Sequence, residues 1–182
     1  YEPWADSPQQ MTLSNAREFI LNKIIAIDEE DHLFGLYLLK NSPHKQEIIS
    51  HPKWIDVSKF SELSQIALAY ALNHPLNKKN NVECMLHRMM ETAEIISERN
   101  QEDAQNEAQL LNIWFSLSKI AYYRDYKFKN TAALAAAVEY SFLNALSETV
   151  TKKAIAEKYE ISPSTLSKYE EELYSFIPEH YM

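Results

Sequence analysis

The sequence predicts an all-α protein, and three observations support this fold class. Only one of the 182 residues is glycine, so few positions can adopt a positive φ without strain, and tight hairpins, glycine-rich phosphate loops and nucleophile elbows are nearly excluded. Apolar residues recur at intervals of three and four along most of the chain, which is the period of an amphipathic helix. No stretch of useful length alternates as a strand would. We therefore expect helices joined by loops.

The first part of the chain is expected to contain a leader followed by several helices. Residues 1–13 begin with YEPWADSPQQ, whose two prolines disfavour a helix, so an extended leader is expected. An N-terminal helical region is expected over residues 14–100, and its first helix can begin at the cap Ser14. Proline-containing breaks separate its helices at residues 41–43 (NSP), 51–52 (HP) and 74–75 (HP).

Residues 101–182 are expected to form a C-terminal helical subdomain. A long helix ends at the polar break YRDYKFKN, and an alanine-rich helix follows over residues 131–146 with Thr131 as its cap. The small alanine side chains let neighbouring helices approach closely, so this helix is expected at the centre of a bundle. One buried cluster is expected from Leu134, Ala137, Val138, Phe142, Ile155, Ile161 and Leu166.

Two shorter helices are expected after the alanine-rich helix. Thr149 or Thr151 can cap the first of them, which is followed by a sharp turn. Ser162 and Pro163 begin the second, because proline suits the first position of a helix and serine suits the cap. This order of short helix, turn and second helix raises the question of whether the segment binds DNA or only closes the core.

The charge balance weighs against an extensive phosphate-binding surface. The formal charge is −8, from 18 basic and 26 acidic residues, and DNA affinity comes largely from lysine and arginine neutralising phosphates. Residues 131–182 contain only four lysines and no arginine, against eight glutamates. A DNA-binding surface in this region would therefore have to be a local basic face.

The remaining composition indicates a cytoplasmic chain that does not enter a membrane. The single cysteine, Cys84, cannot form an internal disulfide, which fits a reducing compartment. No apolar run approaches the roughly 20 residues that a membrane-spanning helix needs, and the first residues lack the basic and apolar regions of a signal peptide.

The segment IAEKYEISPSTLSKYEEEL, residues 155–173, resembles the helix-turn-helix of bacterial regulators. It places the small Ala156 where two helices would cross, the aliphatic Ile161 at the turn, and Ser-x-Ser-Thr-Leu-Ser-Lys at the start of the second helix. With the alanine-rich helix included, residues 131–173 also resemble the last three helices of the cyclin-like repeat of transcription factor IIB. In both families the turn usually carries glycine, whereas this chain has Glu160.

The resemblance implies a helical bundle with a C-terminal, cyclin-like helix-turn-helix subdomain in a DNA-binding regulatory protein. The N-terminal helices would mediate homodimerisation or bind a protein partner. The alternative is an all-α interaction module whose helix-turn-helix-like end binds protein, and exposed apolar patches on the last helix would favour it. The residues implied at the DNA are Lys152 and Lys153 near the backbone and Ser162, Ser164, Thr165, Ser167 and Lys168 at the major groove or its flanking phosphates.

Catalytic and metal-binding patterns have no positive support in the sequence. Cys84 and His87 form a C-x-x-H pair that could share a helix face, but a structural zinc site usually needs four ligands and no second cysteine exists. No serine or cysteine can be assigned a histidine and acidic partner, and no carboxylates show the spacing of a general acid and base. We therefore expect neither an enzyme nor a bound metal or cofactor.

Overall fold

The computed structural model describes residues 11–51, 56–146 and 148–177, and every regular element in these ranges is helical. The predicted all-α class is therefore confirmed. Most of the expected leader lies outside the described residues, and the first helix already begins at Leu13. The described helices are α1 Leu13–Ile24, α2 Glu29–Asn41, α3 Lys45–Ile49, the 3-10 helix Val57–Lys59, α4 Glu62–Ala71, α5 Asn81–Arg99, α6 Ala104–Tyr123, α7 Thr131–Ala145, α8 Lys152–Lys158 and α9 Pro163–Tyr174.

Side-chain caps begin most of these helices, although two of the expected caps are displaced. Thr12 rather than Ser14 caps α1, and Asn130 rather than Thr131 caps α7. For α8 the cap is Thr151, whose hydroxyl accepts a hydrogen bond from the backbone N–H of Ala154. In each case the cap oxygen satisfies an N–H group that has no partner inside the helix. The same type of cap is made by Ser61, Asp103 and Ser162.

The chain divides into two compact units, residues 1–87 and residues 88–182, here called unit 1 and unit 2. The division falls within α5, so this helix contributes residues to both units. The boundary expected near residue 100 stays a prediction.

Unit 1 is built around α2, in which every residue from His32 to Leu39 is buried. Gly35 lets α1 lie close to α2, because a Cβ at this position would lie 2.8 Å from the Cβ of Lys23 and 2.9 Å from Cγ1 of Ile24. The ring of His32 is held between the carbonyl oxygen of Ala26, at 2.6 Å, and the hydroxyl of Ser64, at 3.1 Å. A largely apolar helix, whose buried His32 is satisfied by hydrogen bonds, therefore forms this core.

Unit 2 is built around α7, whose residues 133–139 are all buried and which contacts α6, α8 and α9. Of the expected buried cluster, Phe142 and Ile161 are only half-buried, so this part of the expectation was wrong. Phe142 lines an open groove between helices. Ile161 lies in the turn after α8, where its backbone N–H donates a hydrogen bond to the carbonyl oxygen of Ala156. The buried members of the cluster are Leu134, Ala137, Val138, Ile155 and Leu166.

Candidate nucleic-acid interface

The turn between α8 and α9 is formed by a residue type that rarely adopts its conformation. Glu160 has a φ of 58°, which is left-handed and costs a residue with a side chain roughly 1–2 kcal/mol. Its N–H donates to the carbonyl of Glu157 at 3.2 Å, and the N–H of Ile161 donates to Ala156 at 2.9 Å. These two bonds are the helix ending that glycine usually makes. The carboxylate of Glu160 accepts a hydrogen bond from the Arg99 guanidinium at 2.8 Å.

The first turn of α9 exposes hydroxyl groups and carries no acidic side chain. The Ser162 hydroxyl accepts a hydrogen bond from the N–H of Thr165 at 3.1 Å and donates one to the Thr165 hydroxyl at 2.8 Å. Ser164 is exposed, and its hydroxyl lies 3.1 Å from that of Ser162. Pro163 is the first helical residue, as the sequence predicted. A helix N-terminus of this kind carries a partial positive charge that favours anions.

The three lysines implied at the DNA lie in different environments. Lys152 is half-buried, and its ammonium donates to the Ser167 hydroxyl at 3.0 Å and lies 3.2 Å from the Glu170 carboxylate. Lys152 and Ser167 therefore contact each other within the chain. Lys153 and Lys168 are exposed. The Lys168 ammonium lies 5.5 Å from the centre of the Tyr169 ring.

The surface around this segment is mixed in charge. Glu157, Glu160 and Glu171 are exposed on the same two helices and their turn, and their carboxylates would repel phosphates at close range. The first turns of both α8 and α9 contain no acidic residue; two lysines begin α8, and hydroxyl groups without a cation begin α9.

A buried polar network ties α8 to the rest of unit 2, and sequence reasoning missed it. The ammonium of Lys158 donates to both carboxylate oxygens of Glu139, at 2.9 and 2.7 Å, and to the side-chain oxygen of Asn100 at 2.9 Å. The Tyr159 hydroxyl donates to Glu139 at 2.8 Å. Burial, and next the charge of Glu139, raises the pKa of Tyr159. A signal was present, since Glu139 is the only charged residue of α7.

The loop between α6 and α7, treated in the sequence as a polar break, is packed into the core. Phe128 is fully buried and meets the rings of Trp114 and Tyr126 edge-on, at centroid distances of 5.9 and 5.0 Å. The Arg124 guanidinium donates to the carbonyl oxygen of Ser175 at 3.0 Å. The alternation of aromatic and basic residues in YRDYKFKN was the signal for this arrangement.

Two of the grooves on the described part of unit 2 lie beside α9. One, of about 380 Å³, lies between the α6–α7 loop and α9 and is called here the cationic groove. Its charged lining residues are Arg124, Asp125, Lys127, Lys129, Lys168 and Glu172.

The other groove, of about 560 Å³, lies between α6, α7 and α9 and is called the apolar groove. No charged residue belongs to its lining in the described part of the chain, and Tyr174 on its edge is 40% exposed. The residues around it are Asn112, Ile113, Ser116, Leu117, Val138, Ser141, Phe142, Ala145, Leu173, Tyr174 and Ile177.

Within residues 11–51, 56–146 and 148–177, no group of three His, Cys, Asp or Glu side chains could share a metal ion. Over the same ranges no helix has both the length and the apolar character needed to cross a membrane. Comparisons of the chain with known protein families, with curated proteins and with solved structures found no significant match.

Proposed function

We propose that this chain is a DNA-binding regulatory protein that contacts duplex DNA through a helix-turn-helix formed by α8 and α9, with α7 as the supporting helix. In this arrangement α9 is the recognition helix and enters the major groove with its N-terminal end. The resemblance to helix-turn-helix regulators and to the cyclin-like repeat of transcription factor IIB supports the same assignment of helices.

The tight turn supports the proposal because it supplies the geometry that glycine supplies in related motifs. Glu160 takes the left-handed conformation, and the paired bonds from Glu160 and Ile161 end α8 within one turn. The network of Glu139 and Lys158 then fixes α8 against α7. A recognition helix needs this kind of rigid support, since base contacts depend on its position to within a fraction of an ångström.

The single observation that carries the proposal is the exposed first turn of α9. Ser164 projects there without an acidic neighbour in the same turn, beside the half-buried Thr165. Hydroxyl groups can donate to or accept from base edges and can donate to phosphate oxygens, and the positive end of the helix attracts phosphate. The exposed Lys153 of α8 and Lys168 of α9 supply cations on the same two helices.

Substitutions in α9 separate base contacts from phosphate contacts. Ser164→Ala and Thr165→Ala should relax the preference at one or two base pairs, at a cost of about 0.5–1.5 kcal/mol per lost contact. Lys168→Ala should instead weaken binding to all duplexes and lower its salt dependence. Fluorescence anisotropy on random and selected duplexes at two salt concentrations measures both effects.

The matched control is Ser14→Ala. Ser14 is exposed and is the second residue of α1, as Ser164 is the second residue of α9. The control should leave affinity and base preference unchanged. Because the chain carries a formal charge of −8, the titration begins at low salt, and no salt-dependent association there would end the proposal.

A second candidate function is protein interaction, and the apolar groove favours it. The groove is free of charge in a chain of which 24% of residues are charged, and uncharged exposed patches of this kind mark protein interfaces. A protein-interaction function predicts self-association in sedimentation velocity experiments, and Leu117→Gln should weaken this association. It also predicts that the chain does not bind duplex DNA at low salt. Self-association with intact duplex binding would instead fit a DNA-binding dimer.

A further inference from the structure

The cationic groove concentrates positive charge in a chain that is acidic as a whole. Four cations line it, against the two carboxylates of Asp125 and Glu172, so its lining has a net formal charge of +2. The formal charge of the whole chain is −8. Cations gathered at one concave surface raise the local concentration of an anionic ligand, whatever the total charge. The four cations are Arg124, Lys127, Lys129 and Lys168.

The loop that carries three of these cations is held in place by the packing of its aromatic side chains. The ring of Tyr126 packs edge-on against Phe128 and Phe176, with centroid distances of 5.0 Å to each. Asp125 and Phe128 both have positive φ values, 57° and 51°, and a buried aromatic residue in this region persists only where its surroundings hold it. These aromatic contacts hold the backbone of the loop, and the loop residues between them contribute cations to the lining of the groove.

The two carboxylates of the groove are already engaged. Glu172 accepts a hydrogen bond from the Tyr126 hydroxyl, and burial, followed by this bond, raises the pKa of Tyr126. Asp125 pairs with Lys127 at 2.9 Å, but both side chains of that pair are well exposed. An exposed pair of this kind contributes about 0–1 kcal/mol to stability.

We propose that the cationic groove binds the phosphate backbone of the same DNA duplex that α9 contacts. This inference rests on the proposed function, because Lys168 belongs both to α9 and to the groove lining. The groove extends the contact from the recognition helix to the α6–α7 loop, so that two separate elements hold one backbone strand. Phosphate contacts of this type fix the orientation of a protein on the duplex without reading its sequence.

The groove fits a duplex better than a single strand. Single-strand binding relies on aromatic rings whose faces are open for base stacking. In this groove Phe128, Tyr169 and Phe176 are buried, and the hydroxyl of the half-buried Tyr126 is bonded to Glu172. The exposed groups that remain are the ammonium and guanidinium groups, which recognise phosphate oxygens, and the carboxylate of Asp125, which is paired with Lys127.

The test compares two pairs of neighbouring lysines in the full chain. Lys127→Gln/Lys129→Gln removes two cations from the groove, and Lys78→Gln/Lys79→Gln removes two exposed cations from unit 1. Each neutralised phosphate contributes about 0.9 to the slope of log K against log salt. We expect the groove variant to lower that slope by about 2 and to weaken binding equally for random and selected duplexes. The control pair should leave the slope unchanged.

Three results would overturn the inference, and they are distinguishable from a failure of the proposed function. If the two double variants have equal salt slopes while Ser164→Ala still changes base preference, the groove does not bind the backbone. The proposal that α9 is the recognition helix would then still stand. A loss on heparin and on single strands as large as the loss on duplexes would show a general polyanion site. No duplex association of the wild-type chain at low salt would remove both proposals together. If the double variant does not fold, the single variant Lys129→Gln provides the same test, with an expected slope change of about 1.

Discussion

The central helix of unit 1, α2, is surrounded by apolar side chains, whereas the central helix of unit 2, α7, carries a buried carboxylate. In α2 the buried His32 is satisfied by Ala26 and Ser64. In α7 the carboxylate of Glu139 is paired with Lys158 of α8. Apolar contacts tolerate small shifts of a helix, but a charge pair has one favourable geometry. A charge pair also joins α1 to α2 in unit 1, where the Lys23 ammonium lies 3.2 Å from the Asp31 carboxylate. The two units therefore differ in how deeply the paired carboxylate is buried, since the Asp31 side chain is 26% exposed and the Glu139 side chain 3% exposed.

Phe34→Ala should have the largest effect on the free energy of unfolding, and it tests the apolar core of unit 1. Phe34 is 1% exposed and its ring meets that of Phe19 edge-on at 6.2 Å. Removing a buried aromatic ring leaves a cavity and typically costs about 3–5 kcal/mol. Chemical denaturation measures the loss. The control Ile27→Ala, at a residue that is 98% exposed, should change stability by less than about 0.5 kcal/mol. Equal effects of the two variants would mean that α2 is not the centre of unit 1.

Glu139→Ala should have the next largest effect on the free energy of unfolding, and it tests the polar network of unit 2. It leaves the ammonium of Lys158 with the side-chain oxygen of Asn100 as its remaining acceptor in the described structure. Breaking a buried pair costs about 3–5 kcal/mol, and because the Lys158 side chain is 33% exposed we expect about 2–3 kcal/mol. The exposed Glu148 supplies the control Glu148→Ala.

A double-mutant cycle gives the sharper result for this pair. Glu139→Ala combined with Lys158→Met should be less destabilising than the sum of the single changes, because no unpaired charge remains. Additive effects would mean that Glu139 and Lys158 do not depend on each other. In that case the position of α8 would come from apolar contacts, as in unit 1.

Much of the fold was accessible from the spacing of apolar residues and from caps. The start of α9 at Ser162 and Pro163 was predicted, since both residues have a local preference for those positions. The roles of Glu139 and Glu160 were not predicted, because each depends on a partner that is distant in the sequence. These partners are Lys158 and Arg99, respectively. A lone glutamate in a helix or turn otherwise indicates a solvated surface.

Glu107 should give a smaller, pH-dependent effect within unit 2. It is 2% exposed, its Oε1 atom has no hydrogen-bond partner in the described residues, and burial raises its pKa to about 7 despite a hydrogen bond with Ser97. The folded chain therefore holds a proton that the unfolded chain releases near pH 4.5. The stability that this proton contributes is present at low pH and is lost as the pH rises to about 7.

Glu107→Gln should remove this pH dependence. The variant should match the wild type near pH 4.5 and be more stable at pH 8, because glutamine stays neutral at both. Thermal unfolding across this pH range measures the difference, with Glu102→Gln at an exposed residue as the control. A variant less stable than the wild type at pH 8 would mean that the ionised carboxylate is stabilised in the fold.

Glu160→Gly should give the smallest effect, and in the opposite direction. Glycine removes the left-handed strain, and it also removes the exposed ion pair with Arg99. The gain exceeds the loss by about 0.5–1 kcal/mol, since exposed pairs contribute little. Glu160→Ala loses the pair and keeps the strain, so it should be less stable than the wild type in denaturant titrations. A destabilised glycine variant would show that Arg99 positions the turn.

The most direct measurement of DNA binding by the start of α9 is an NMR titration of the full chain with a selected duplex at low salt. The proposed function predicts that the largest amide shift changes occur at residues 162–168, and the further inference adds changes at residues 124–129. The polar network predicts that Glu139→Ala reduces the changes at residues 162–168, whereas Phe34→Ala, where it remains folded, does not. Changes confined to the apolar groove, at residues 112–117 and 141–145, or no changes at all, would contradict the DNA-binding function.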